Sequence, residues 1–154
     1  MKVPLISIIV PTYNRSELLL SAINSMLQQE TDGKFTYEII IIDDASTDET
    51  REVIGEIIKH SPELVKYVKG EGKGYTFALN KGLAESHGEW VALFDDDELA
   101  NPDWLKELYA FAAAVLVWLI INLILEDQLL TRPYFPVFVW MILLAKLGII
   151  REES

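Results

Sequence analysis

Apolar residues come first in short runs and later in long ones, and the rhythm changes near residue 105. Leu5–Val10 is a brief β-branched run stopped by Pro11, which reads as a strand buried on both faces. Over Ser16–Gln29, Leu19, Leu20, Ile23, Met26 and Leu27 recur at helical spacing. Tyr37–Ile42 is a second buried strand and ends at Asp43-Asp44. Ser46-Thr47-Asp48-Glu49 has the form of a capping box, so a helix is expected from there to about His60. Leu64–Val68 reads as a third strand, and Gly70-Glu71-Gly72-Lys73-Gly74 as a flexible connection. A helix follows over Tyr75–Ser86, with Gly88 placed to end it or to form the next turn. Trp90–Phe94 is the fourth strand, and Asn101-Pro102 offers an N-cap followed by proline at the first helical position.

Strand then helix, four times over, predicts an α/β fold: a mostly parallel sheet with right-handed crossovers and helices on both faces. Such sheets bind ligands outside the carboxyl ends of their strands. Here those ends are Pro11–Asn14, Asp43–Asp44, Lys69–Gly74 and Asp95–Asp97.

The last third is different. Leu108–Leu125 has no charge, and Pro133–Ile150 has only Lys146; the polar run 126–132 separates them. These are two apolar C-terminal helices, each just long enough to cross a bilayer. Neither has a clear polar face, which favours a membrane hairpin over two helices buried in a small soluble core or an oligomer interface. Trp104, Tyr109, Tyr134 and Trp140 suit interfacial positions. The chain therefore divides into an α/β domain, 1–107, and a hairpin, 108–154.

Charge follows the same division. Residues 1–104 hold 19 Asp/Glu and 9 Lys/Arg, whereas 105–154 hold 5 and 4. The net charge of −11 argues against nucleic acid as a partner. With no cysteine, disulfides and thiolate metal sites are excluded. The start, Met1-Lys2-Val3-Pro4, runs straight into the first strand without the pattern of a signal peptide.

Asp95-Asp96-Asp97 is the most chemically informative feature. Three carboxylates at the end of a buried strand repel one another and lose hydration, and a bound cation offsets that cost. The bland alternative is a solvated acidic turn. For Asp43-Asp44 the alternative is a favourable charge at the next helix's N-terminus, and for Asn14 a helix cap.

Four motifs in order resemble the family 2 glycosyltransferases, inverting, nucleotide-sugar-dependent enzymes of the Rossmann-like GT-A fold. They are Ser7–Arg15 (SIIVPTYNR), Ile41–Thr50 (IIDDASTDET), Gly74–Gly82 (GYTFALNKG) and Gly88–Asp97 (GEWVALFDDD). The resemblance covers roughly residues 5–107. It implies that Pro11, Thr12, Tyr13 and Asn14 pack around the nucleotide, and that Asp44 and Asp43 contact the base. It further implies that Asp95 and Asp96 hold the nucleotide, and that Asp95 and Asp97 hold Mg²⁺ or Mn²⁺. All-oxygen ligands with a diphosphate suit either cation.

Two departures stand out. Leu79 precedes Asn80 where the family often has arginine, which removes one cationic contact. Glu126-Asp127-Gln128-Leu129-Leu130-Thr131-Arg132 looks like the family's catalytic Glu-Asp pattern, with Asp127 as the base, but it arrives after only about thirty residues. The alternative is that 126–132 is only a polar loop between apolar helices. The resemblance implies metal-dependent transfer of a sugar from a nucleotide-diphosphate donor with inversion. With the tail in a membrane, the acceptor expected is a polyprenyl phosphate or another glycan carrier, and the catalytic domain lies on the cytoplasmic, inner face of the cell membrane. The competing expectation is a truncated, non-catalytic nucleotide-sugar-binding module that needs a partner.

Overall fold

The computed structural model describes residues 3–124, with side chains as far as Ile120. It contains β1 (Leu5–Thr12), α1 (Ser16–Met26), β2 (Thr36–Asp43), α2 (Thr50–His60), β3 (Val65–Lys69), α3 (Tyr75–Glu85), β4 (Trp90–Leu93) and α4 (Trp104–Ile124). The chain divides into two compact units, Met1–Leu108 and Tyr109–Ser154.

The first unit is built on a four-stranded sheet in the order β3-β2-β1-β4, with every pairing parallel. Its centre is almost wholly aliphatic. Ile8, Ile9, Val10 and Ile39–Ile42 are fully buried, as strands covered on both faces require. Ile9, Ile40 and Ile42 share one face with Val68 and with Ala78 of α3. The alternate residues Ile8, Val10, Ile39 and Ile41 face the other way and are equally buried. On that side α1 and α2 pack together. Gly82 sets how closely α3 approaches the sheet: a Cβ there would lie 2.4 Å from Ile9 Cγ2 and 2.7 Å from Ile42 Cδ1.

Several expected boundaries shift. β1 runs through Pro11 to Thr12, because Thr12 still accepts from the Asp44 amide at 2.9 Å. α1 stops at Met26 rather than Gln29. Its end tightens through Gln28 N–H to Ser25 and Gln29 N–H to Met26, and the Gln29 side chain is drawn away to the segment before α4. The capping box at Ser46 does not form, and α2 starts only at Thr50. Ser46 Oγ instead accepts the Asn14 amide at 2.9 Å, and Asp48 Oδ1 accepts the Thr50 amide at 3.1 Å. α4 starts at Trp104, whose N–H donates to the Asn101 carbonyl, so Pro102 lies in a turn before the helix.

α4 contains most of the first apolar stretch. Its described side chains end at Ile120, and among the described residues no helix is long and apolar enough to cross a membrane. The second stretch, 133–150, and the polar run 126–132 lie outside the described residues.

Candidate functional site

The strand order reverses once. β1, β2 and β3 add in one direction, and β4 then returns to the opposite side of β1. That reversal opens a crevice beyond the carboxyl ends of β1 and β4, where open α/β sheets take their ligands. A cavity of about 830 Å³ occupies it. Pro11 and Thr12 line it from the end of β1, Tyr13 and Arg15 from the loop after it, and Asp44 and Ala45 from the loop after β2. Gly72, Gly74, Tyr75 and Ala78 line it from the start of α3, and Asp95–Asp97 from the loop after β4.

The three consecutive aspartates follow the end of β4, with Asp96 and Asp97 in a turn. Asp96 points inward and is buried, whereas Asp95 and Asp97 are exposed to the cavity. Thr12 Oγ1 donates to Asp96 Oδ2 at 2.7 Å in a buried contact between the end of β1 and the loop after β4. Burial raises the Asp96 pKa above its ordinary value; the Thr12 hydrogen bond and Arg15 oppose that rise, and Asp97 and Asp95 add to it. The Arg15 guanidinium donates to Asp97 and lies 3.7 Å from Asp96. Its hydrogen bond to Asp97 and the charges of Asp96 and Asp97 raise the arginine pKa further. Tyr75, at the first turn of α3, faces Asp95; burial raises its hydroxyl pKa first, and the Asp95 charge and hydrogen bond add to it.

Asp44 has a different environment. Oδ1 accepts the amides of Gly72 at 2.8 Å and Lys73 at 3.3 Å, and Oδ2 accepts the amide of Gly74 at 2.7 Å. The expected flexible connection is therefore a loop clasped around a buried carboxylate. The clasp needs Gly70, because a Cβ there would sit 2.7 Å from Asp44 Cα and 2.8 Å from Asp44 Oδ1.

Asn14 and Asp43 lie in the same loops but do not line the cavity. Asn14 takes up left-handed backbone (φ 52°), which asparagine tolerates. Its Oδ1 accepts the Thr47 amide at 2.7 Å, tying the first loop to the second. Arg15, not Asn14, is the residue before the first turn of α1. Asp43 is buried; its carboxylate accepts Ser46 N–H at 2.8 Å and the Tyr67 hydroxyl at 3.1 Å. Behind the aspartates, Gln29 donates to the Asn101 carbonyl and accepts the Leu105 amide, both at 2.8 Å, so the segment after Asp97 is fixed to the end of α1. Phe94 adds an edge-on contact with Trp104, centroids 5.0 Å apart. Asp127 lies outside the described residues.

Sequence reasoning gave no role to Arg15, Tyr75 or Gln29. Arg15 and Tyr75 stand inside the quoted motifs, so their place beside predicted strand ends was a usable signal. Nothing in the sequence points to Gln29, whose bonds to Asn101 and Leu105 span more than seventy residues.

Four carboxylates and one guanidinium line the cavity, a formal charge of −3 from four minus one. A diphosphate cannot enter such a cavity favourably without a cation. Asp95 and Asp97, one residue apart and both facing the cavity, fit a hard divalent ion. Among the described residues no group of three or more His, Cys, Asp or Glu is arranged to hold a metal. Two carboxylates with the rest of the sphere left to phosphate and water is a donor set that Mg²⁺ commonly takes.

A parallel sheet with an acidic crevice at its switch point is the arrangement in which open α/β domains take their ligands. The chain belongs to the family 2 glycosyltransferases: the family described as Glycosyl transferase family 2 matches residues 7–133. An uncharacterised glycosyltransferase from Nostoc is 37% identical over 103 residues, covering 67% of this chain and 31% of the relative. The succinoglycan biosynthesis protein ExoO of Rhizobium meliloti is 32% identical over 113 residues, covering 73% and 31%. The structure of Staphylococcus aureus TarS 1-349 in complex with UDP-GlcNAc superposes with TM-score 0.61 at 28% identity, over 71% of this chain and 31% of TarS. The mannosyltransferase PcManGT of Pyrobaculum calidifontis, solved with GDP-Man and Mn²⁺, gives 0.59 at 30% identity, over 67% and 30%. The chain spans about a third of the length of the curated relatives it matches.

Proposed function

We propose that this chain binds a nucleotide-diphosphate sugar in the β1/β4 crevice with a divalent cation, and that its sugar is transferred to an acceptor with inversion. The observation that carries the reading is the cavity itself, with four aspartates and one arginine at the switch point of the sheet. Relatives solved with UDP-GlcNAc and with GDP-Man and Mn²⁺ support it. Exposed Tyr13 offers a face for the base, and Asp44, with three of its lone-pair positions taken, retains one for a ring N–H. Asp95 and Asp97 hold Mg²⁺ or Mn²⁺, and Asp96 keeps the pair in place through Thr12. Bound there, the cation acts as a Lewis acid toward the departing nucleoside diphosphate.

A polyprenyl-phosphate-linked acceptor agrees with the name of one relative, a dolichyl N-acetylglucosaminyl phosphate glucuronosyltransferase of Methanococcus voltae, 33% identical over 102 residues. Attachment to the inner face of a membrane through 108–154, and Asp127 as the base, rest on the sequence alone. A second reading follows from the match to a third of each relative: the residues in hand bind the donor, and a partner completes transfer.

Calorimetry with UDP and GDP, with and without Mn²⁺, tests the binding step. Asp97→Asn should weaken metal-dependent binding about tenfold or more, since loss of even an outer-shell partner costs that much. Unchanged metal-dependent affinity in the variant sinks the assignment. A transfer assay with donor and lipid extract separates the enzyme from the binding module.

A further inference from the structure

We infer that Arg15 is an exchangeable counter-ion. In the free protein it neutralises Asp97, and on loading it leaves Asp97 for the donor's diphosphate. The inference rests on the functional reading above and assigns a role to a residue which that reading leaves unused.

Asp44 and Asp96 already have neutral donors within the protein, from three backbone amides and from the Thr12 hydroxyl. Among the described residues Asp95 and Asp97 have no backbone amide partner; Tyr75 faces the first and Arg15 holds the second. The cavity thus has two exposed carboxylates whose partners are side chains rather than backbone amides.

Arg15 is suited to move. Its guanidinium and the Asp97 carboxylate are each 45% exposed, so water replaces either partner at little cost. Its backbone, by contrast, is fixed. The Asn14 amide is held by Ser46, the Ser16 amide by Asp48 Oδ2 at 3.3 Å, and the Arg15 carbonyl accepts the first hydrogen bond of α1 from Leu19 at 2.9 Å. A long side chain on a rigid base reaches either the aspartates or an anion between them. Arg15 is also the one cation lining the cavity among the described residues. With Leu79 where an arginine is common in the family, it stands as the cationic contact to the diphosphate. A guanidinium suits phosphate bidentately.

The exchange predicts effects of opposite sign from one substitution. Arg15→Gln removes a competitor from Asp97, so Mn²⁺ alone should bind about two- to fivefold tighter at low salt. The same variant should bind UDP or GDP in saturating Mn²⁺ about tenfold or more weakly, because a charged contact to the anion is lost. Arg15→Lys should fall between on both measures. Calorimetry and Mn²⁺ electron paramagnetic resonance on the full chain read both quantities without any turnover. Mn²⁺ affinity that is unchanged or lower in Arg15→Gln, with the wild type binding nucleotide normally, overturns the exchange and leaves the functional reading intact. A wild type that takes up neither UDP nor GDP with Mn²⁺ overturns both.

Discussion

Asparagine in place of Asp44 keeps the side-chain shape but removes the charge and one acceptor oxygen, and the structure makes that a severe change. The carboxylate receives three backbone N–H groups, two on Oδ1 and one on Oδ2. However the new amide turns, its NH₂ group faces at least one of those donors. One charge-assisted hydrogen bond is lost, worth about 1.5–3 kcal/mol, and the remaining ones become neutral. Partial hydration of the open loop returns some of this, so a net loss of about 2–3 kcal/mol is expected. In urea that moves the unfolding midpoint down by about 1–2 M for a domain of this size. Asp44→Ala should cost at least as much as Asp44→Asn, because all three amides lose their acceptor. Gly70→Ala should reproduce the loss from the other side, since its Cβ would press on the Asp44 backbone at 2.7 Å. The assay is urea denaturation followed by tryptophan fluorescence, with UDP and GDP affinity measured on the same samples. A midpoint within about 0.3 M of wild type for Asp44→Asn would refute the clasp. Asp44 would then be free for the base alone.

Two further substitutions test the frame around the site. Gly82→Ala forces a methyl against Ile9 and Ile42 at 2.4 and 2.7 Å and should destabilise by about 1–3 kcal/mol through overpacking; a thermal midpoint equal to wild type would show that α3 can lift without cost. Asp96 titrates above its ordinary value of 3.8 chiefly through burial, so its contribution to stability is full below that value and is lost as pH rises through the folded-state pKa. Asp96→Asn, still able to accept from Thr12, should flatten the stability profile from about pH 4 upward. Urea midpoints across that range check it, and a variant with the wild-type slope would place the titration elsewhere.

Strand identity and sequence order were legible most clearly at β1 and β2, where Leu5–Val10 and Tyr37–Ile42 are isoleucine-rich runs ended by Pro11 and by Asp43-Asp44. Pairing order was not: that β4 lies beside β1 depends on contacts about eighty residues apart, such as Ile9 with Leu93. Local motifs also misled where a distant group competed for the same atom. Ser46 has the sequence of a cap, yet its hydroxyl accepts from Asn14, more than thirty residues earlier. The glycines of 70–74 read as freedom, yet they let the chain pass close enough to Asp44 for its carboxylate to collect three amides.

The aspartate triplet shows why composition alone could not assign roles within it. β4 ends at Leu93, and the chain turns at Asp96 and Asp97 with the middle carboxylate buried. There it requires a donor, and Thr12 supplies a neutral one across the β1/β4 gap at 2.7 Å. A cation at that buried position would have tied Asp96 to a charge and drawn it toward the cavity. The hydroxyl instead satisfies it, while the outer two carboxylates are exposed to the cavity. Arg15 then reaches only the outer edge, holding Asp97 by a half-exposed pair and standing 3.7 Å from Asp96. The firm contact is therefore the neutral one and the weak contact the ionic one, which is the order needed if the scaffold is to persist while the charge is exchanged.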